Sequence, residues 1–321
     1  NTFNISDFGD SHNIATDLNI VLDTSSEPSS TDSVFDSLYN DNSYYGYLYS
    51  HTYDSDNYLY KIHRTNASGS VSTITLPFGT GSSIDQSLTK ITSLANNTYA
   101  VAHRNGSNLR FQLFDSSGTA ISNQIAVDTN IDTNNAAGLS IESEGSSGFI
   151  IATTNGSQGS DTNQSYYRYT NAGVLVGSGN IQSTGTGNYR NFPLSGVHLD
   201  LGSDATIFFA KNSDGVGYLE ANIVFADGST KLLDLASGSG GSSGYDFENY
   251  AAATLSDGRV ALVTTFSGNT TYGSAFLTII ETDGTFSRPR VKIEDNFRSS
   301  PNTYNIIADL SDGGFWIYRK E

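Results

Sequence analysis

The chain has 321 residues, a formal net charge of −17 and neither Cys nor Met. Its 33 acidic residues against 16 basic ones argue against binding to nucleic acid or anionic membrane surfaces, which need basic patches. The lack of Cys excludes disulfides, thiolate metal sites and cysteine nucleophiles, and no stretch offers the ~20 apolar residues of a spanning helix.

Along the chain, short runs of β-branched and aromatic residues alternate with tips of Gly, Asp and Asn, the pattern of β-hairpins. The segment NISDFGDSHNIATDLNIVLDT (4–24) lines up with QLFDSSGTAISNQIAVDT (112–129), IVLDT falling over IAVDT. A series of tips follows: HRTNASG (63–69), FDSSG (114–118), YTNAG (169–173), FADGS (225–229) and ETDGT (281–285). Its glycines Gly69, Gly118, Gly173, Gly228 and Gly284 stand 49, 55, 55 and 56 residues apart. A second series interleaves with it: YNDN (39–42), ANNT (95–98), EGSSG (144–148), GSDA (202–205), SDGR (256–259) and SDGG (311–314).

Two hairpins per period make four strands, the content of one propeller blade. The expected fold is therefore all-β: a six-bladed β-propeller of four-stranded antiparallel blades, about 53 residues each, with 1–321 as a single domain. The chain then starts on a blade's third strand and ends, at GGFWIYRKE, on a second strand. Pairing of the N- and C-terminal strands closes the ring and leaves no open sheet edge between first and last blades.

Near-continuous apolar runs, GFIIATT (148–154), TIFFAKN (206–212), VALVTTF (260–266) and GGFWIYR (313–319), suit inner strands covered on both faces. LRFQLFD (109–115) and SYYRYT (165–170) alternate more clearly and are expected nearer the rim. No apolar stripe of helical period appears. A hydrophobic fraction of 36% is low, yet 12% aromatics and many turn residues describe a loop-rich β protein rather than a disordered one. The run SGSGGSSG (237–244) falls between blades and reads as a flexible connection. Few Lys, abundant Asn, Ser, Thr and Gly, the acidity and an initial Asn suggest a processed, secreted or cell-surface protein of bacterial origin.

The repeat rhythm, carried best by LSDGGFWIY (310–318) and IAVDTNIDT (125–133), resembles repeats of large secreted bacterial surface proteins of the calcium-dependent adhesin type. That resemblance implies adhesion, surface assembly or extracellular protein–protein interaction, without catalysis. It also implies a possible Ca2+ site, and acidity points the same way. DSDN (54–57) opens like a calcium loop, but the sixth position is Leu59 rather than Gly. The five histidines form no ligand-spaced pair, so no metal-ligating residue is assigned.

Long loops on one face of the ring are the expected carriers of binding. GNYRNF (187–192), YDFENY (245–250) and DNFR (295–298) place Tyr189, Arg190, Tyr245, Asp246, Glu248, Phe297 and Arg298 there. Arg104, Lys211 and Tyr272 add to them from neighbouring loops. Stacking aromatics beside bidentate donors and acceptors suit a sugar or short peptide; aromatic plugs with loop-to-loop ion pairs account for the same residues. A second feature is segment 39–60 with eight tyrosines, where Tyr45, Tyr47 and Tyr49 alternate onto one strand face, a surface for self-association or a feature of a rim strand.

The leading reading is a non-catalytic surface module whose partner is another protein, itself or a surface glycan. The alternative is a glycan-binding, lectin-like protein, although no aromatic–Arg–Glu set recurs at the blade period. Third comes a sialidase-like glycosidase or polysaccharide lyase, for which arginines and the Asp246/Glu248 pair supply residue types while the repeat S-x-D-x-G-x-x-W is missing.

Overall fold

The computed structural model describes residues 33–38, 44–54, 57–66, 71–76, 84–95, 97–105, 107–128, 139–155, 163–181, 195–199, 205–212, 218–237, 246–267, 272–298, 303–308 and 315–320. These form five four-stranded antiparallel sheets and one two-stranded sheet. The first sheet contains β1 (Ser33–Leu38), β2 (Tyr44–Asp54), β3 (Asn57–Asn66) and β4 (Val71–Leu76). The second contains β5 (Ile84–Ser93), β6 (Tyr99–Asn105), β7 (Asn108–Phe114) and β8 (Ile125–Asp128). The third contains β9 (Leu139–Ser143), β10 (Phe149–Asn155), β11 (Asn163–Tyr169) and β12 (Leu175–Ile181). The fourth contains β13 (Ser195–Leu199), β14 (Ala205–Asn212), β15 (Tyr218–Val224) and β16 (Thr230–Ser237). The fifth contains β17 (Asp246–Thr254), β18 (Val260–Ser267), β19 (Tyr272–Ile280) and β20 (Phe286–Arg298). The last pairs β21 (Thr303–Ala308) with β22 (Phe315–Lys320).

Each complete sheet is a meander in chain order, as the two interleaved tip series require. The chain ends on the second strand of a sheet, in the expected phase. Residues 1–32, and with them the expected closing strands, lie outside the described residues. The chain divides into two compact units, Asn1–Val127 and Asp128–Glu321.

The described tips share one hydrogen-bond pattern. The N–H of the first turn residue donates to the C=O of the fifth, and that of the fourth donates back to the first, as in Phe225–Ser229 and Leu255–Arg259. The fourth residue is left-handed in these turns, with φ 81° at Gly228 and at Gly258, which explains the glycines at 118, 173, 228 and 284; the Glu144–Gly148 turn departs from this, with Ser147 fourth and the left-handed conformation at Gly145. Asn97 holds the fourth position with φ 59°.

Alternation along the inner strands builds the core between sheets. On β14, Phe208 joins Ile150, Ala152 and Tyr166 of the third sheet, whereas Ile207 and Phe209 join Val260, Leu262 and Phe266 of the fifth. On β18, Ala261 and Val263 face the other way and meet Phe315 and Ile317 of β22. Apolar residues are thus needed at consecutive positions. In the second unit the first strands β9, β13, β17 and β21 are successive neighbours, so they form the inner side and β12, β16 and β20 the outer side.

The third strands lie one place in from the outer edge, nearer the rim as their alternation suggested, but their side chains are buried. Leu109, Phe111, Leu113 and Phe114 of β7 are buried, as are Tyr166, Arg168 and Tyr169 of β11, so the rim belongs to the fourth strands alone. Their polar residues are satisfied inside: Gln112 donates to the Ser122 carbonyl at 2.9 Å, and Arg168 is ion-paired. Among the described residues the only helical element is a 3-10 turn, Gly145–Ser147, and no helix is long and apolar enough to cross a membrane.

Candidate functional site

Every four-stranded sheet has two unlike ends. The tight turns joining first to second and third to fourth strands lie at one end; the second-to-third loops and the connections between sheets lie at the other. Of the loop-face residues singled out above, Asp246, Glu248, Phe297 and Arg298 belong to the second end. Tyr189, Arg190 and Tyr245 fall outside the described residues. Asp246 and Glu248 lie within β17, and Phe297 and Arg298 within β20, so these four are on strands rather than in the expected loops. The ladder continues through them: Asp246 pairs with Ser267, Ser267 with Gly273 and Gly273 with Phe297. Glu248 is the extra residue of a bulge between Phe247 and Asn249.

That row sets the two pairs at opposite sides of one sheet. Three strand spacings, ~14 Å, separate the backbones of β17 and β20. Asp246 and Glu248 stand on the inner strand, Phe297 and Arg298 on the outer one, so their backbones do not converge on the inner side. Arg104, Lys211 and Tyr272 are also strand residues, paired with Leu109, Leu219 and Arg298.

The tyrosine segment runs through β2 and β3, with Tyr39 outside the described residues. Both are interior strands, hydrogen-bonded on two sides, rather than rim strands. Tyr47 and Tyr49 pair regularly with Arg64 and Ile62, while Tyr45 falls in a register shift between Tyr44 and Tyr47. The alternation that would align all three is interrupted there.

At the tight-turn end the charges are structural. Asp115, Asp227 and Asp283 each accept from the backbone N–H and hydroxyl two residues on, at Ser117, Ser229 and Thr285. Those hydroxyl bonds, then the amide bonds, hold all three carboxyls below the usual range. Asp257 accepts from Arg259 at 2.7 Å, which lowers its pKa likewise.

One charged network is buried. Glu144, in the turn after β9, receives Arg168 through two bonds of 2.6 Å. Thr206 of the fourth sheet donates to the same carboxylate at 3.1 Å. Arg168 also donates to the carbonyls of Phe225 and Ala226, at 2.8 and 3.1 Å, in the fourth sheet's turn. Tyr166 donates to the Gly228 carbonyl at 3.1 Å. This network ties adjacent sheets and presents no group to a ligand. Nothing in the residue spacing announced it, and the repeat alignment does not single it out, since Asp200 and Arg64 put charge at the same two positions in other repeats.

His103, paired with Arg110 across β6 and β7, is pushed down to about 4, first by burial and then by that arginine. It is neutral at neutral pH. Among the described residues no group of three or more His, Asp or Glu is placed to hold a metal ion. Of DSDN, Asp54 ends β2 and pairs with Asn57, which opens β3; the two residues between lie outside the described residues.

No protein-family model and no curated protein matches the chain. Similarity to solved structures is broad in coverage and low in identity. A triple arginine-to-alanine mutant of AofleA from Arthrobotrys oligospora matches with TM-score 0.54 and 12% identity, over 88% of this chain and 77% of that one. The subtype N11 neuraminidase-like protein of A/flat-faced bat/Peru/033/2010 matches with TM-score 0.52 and 10% identity, over 88% and 80%. An alpha-L-arabinofuranosidase from Fusarium graminearum, in complex with an iminosugar inhibitor, matches with TM-score 0.51 and 9% identity, over 87% and 86%. The likeness is one of fold: the chain has a β-propeller repeat fold built from four-stranded antiparallel sheets.

Proposed function

We propose that the chain is a secreted or cell-surface six-bladed propeller, closed by pairing its terminal strands, that acts without catalysis in adhesion, surface assembly or extracellular protein–protein interaction. The observation that carries this reading is where the charges go. At the tight-turn end Glu144, Arg168, Asp257 and Arg259 bond to one another or to backbone, and Asp115, Asp227 and Asp283 bind their own turns. Recognition is assigned instead to Tyr189, Arg190, Tyr245, Asp246, Glu248, Phe297 and Arg298; of these, Asp246 and Glu248 stand on the inner strand of the fifth sheet and Phe297 and Arg298 on its outer strand.

A glycan ligand is the second reading, favoured by one observation: the arabinofuranosidase of similar fold is described with an iminosugar inhibitor. Glycoside hydrolysis comes third, since it requires two carboxyl groups ~5–10 Å apart across the scissile bond. The test combines a glycan array with turnover assays on the glycans that bind, for the wild type and for Arg190→Ala/Arg298→Ala. Binding without product, weakened about tenfold in the double variant, is the expected result. Release of sugar would replace the adhesion reading with the hydrolase.

A further inference from the structure

Basic residues are scarce in this chain, 16 in 321, yet Arg288, Arg290 and Lys292 fall within five residues of β20. No other five-residue stretch holds three, and no acidic residue stands between Phe286 and Ile293. β20 is the outer strand of the fifth sheet, and all three side chains are exposed.

Arg290 is pinned by aromatic rings. Its guanidinium carbon lies 4.1 Å from the centre of the Phe266 ring and 4.1 Å from that of Phe276. The two rings meet edge to face at 87° and form a corner that holds it. Both rings pack against the fourth sheet with Leu233 and Leu235 of β16, which sets Arg290 at the rim of the seam between these sheets. Lys292 pairs with Phe276 and places its Nζ 6.0 Å from that ring. Lys231 of β16 donates to the Asp283 carbonyl at 2.7 Å, adding a cation at the turn before β20. Arg288 pairs with Ile279 and stands on the other face of the strand. Partial burial lowers the pKa of Arg290, and among the described residues no carboxylate pairs with it. In a chain with twice as many acids as bases, an ordered and partly desolvated guanidinium without counter-charge is a cost that the fold does not require.

We propose that the rim of the seam between the fourth and fifth sheets binds an acidic polysaccharide, whose carboxylates supply the counter-charge for Arg290 and Lys292. Three observations select that occupant. A guanidinium fork fixed beside a second cation suits carboxylates that recur along a line. The backbone edge is closed to a strand-pairing peptide, since Pro289 has no N–H and the pairing of β20 with β19 shifts register four times. The net charge of −17 disfavours polymers as dense in charge as nucleic acid, with one charge per ~1.7 Å of duplex, whereas a polyuronate carries one per sugar. This inference does not rest on the loop-face reading, because Arg298 lies ~25 Å from Arg290 along the strand.

Titration of the full chain with polygalacturonate at low and moderate salt tests it. The wild type should bind, less tightly as salt rises, and should ignore uncharged dextran. Arg290→Gln should weaken binding about tenfold or more. Arg290→Lys, which keeps the charge and the stem over the rings, should lose less, separating the missing charge from repacking. Lys90→Gln, which removes a charge from β5, should bind like the wild type. So should Arg190→Ala/Arg298→Ala, which distinguishes this site from the loop face. No binding of polygalacturonate, binding indifferent to Arg290→Gln, or equal affinity for polyglutamate, single-stranded DNA or anionic vesicles would overturn the proposal.

Discussion

The third and fifth sheets fill the same repeat positions with opposite chemistry. The residue opening the first tight turn is Leu94 in the second sheet, Leu255 in the fifth and Glu144 in the third. The residue two before the second tight turn is Leu113, Ile223 and Ile279 in the second, fourth and fifth sheets, and Arg168 in the third. All are buried. In the fifth sheet Leu255 and Ile279 share a cluster with Phe315 and Ile317. In the third, two apolar residues are replaced together by a matched carboxylate and guanidinium whose remaining hydrogens reach the next sheet's turn. Here the two buried positions change together, so that neither charge is left unmatched. The polar arrangement gains direction rather than strength, because hydrogen bonds to Phe225 and Ala226 fix where the neighbouring turn sits, whereas apolar contact does not.

The largest expected effect comes from breaking that match. Glu144→Leu installs the fifth sheet's residue but leaves the Arg168 guanidinium buried without its carboxylate, at a cost of about 3–5 kcal/mol. Adding Arg168→Ile completes the transplant and should restore stability to within roughly 1 kcal/mol of the wild type. Denaturant unfolding of the two single variants and the double variant measures the coupling. Strictly additive losses would mean that the third sheet does not accept the fifth sheet's solution.

His103 shows a further way of burying an ionisable group: it is kept neutral rather than matched. Its folded pKa of about 4 lies below the ordinary 6.5, so the unfolded chain takes up the proton first. The stability this contributes is fully present above pH 6.5 and is lost as pH falls toward 4, in total about 3 kcal/mol. His103→Gln should flatten the stability profile in that window. An unchanged slope would place the acid sensitivity elsewhere.

The period, the four strands per repeat and both series of turns were legible because backbone geometry imposes them. Left-handed fourth positions need Gly or Asn, and strands packed on both faces need apolar runs such as Val260–Val263. That the third strands are buried was not legible, because an alternating strand such as β11 hides its polar residues by pairing them. Glu144 and Arg168 lie 24 residues apart, and no local spacing links them. The loop-face residues have no such constraint. Tyr189, Arg190 and Tyr245 lie outside the described residues, and the strand positions of Asp246 and Phe297 followed from cross-strand register, which composition does not encode.

The smallest effect expected separates ring from hydroxyl in the seam between the third and fourth sheets. Tyr166 packs with Ile150, Ala152, Ile181, Phe208 and Val224, and its hydroxyl donates to the Gly228 carbonyl. Tyr166→Phe keeps the ring against Gly179 and removes one hydrogen bond to a turn that is itself exposed. Water replaces the donor at that carbonyl, so the loss should be about 0.5–1.5 kcal/mol. Tyr166→Ala removes the ring as well and should cost about 3–5 kcal/mol. If the phenylalanine variant instead loses as much as Glu144→Leu, this seam depends on polar bonds throughout. The contrast drawn with the fifth sheet would then extend from one ion pair to the whole face between two sheets.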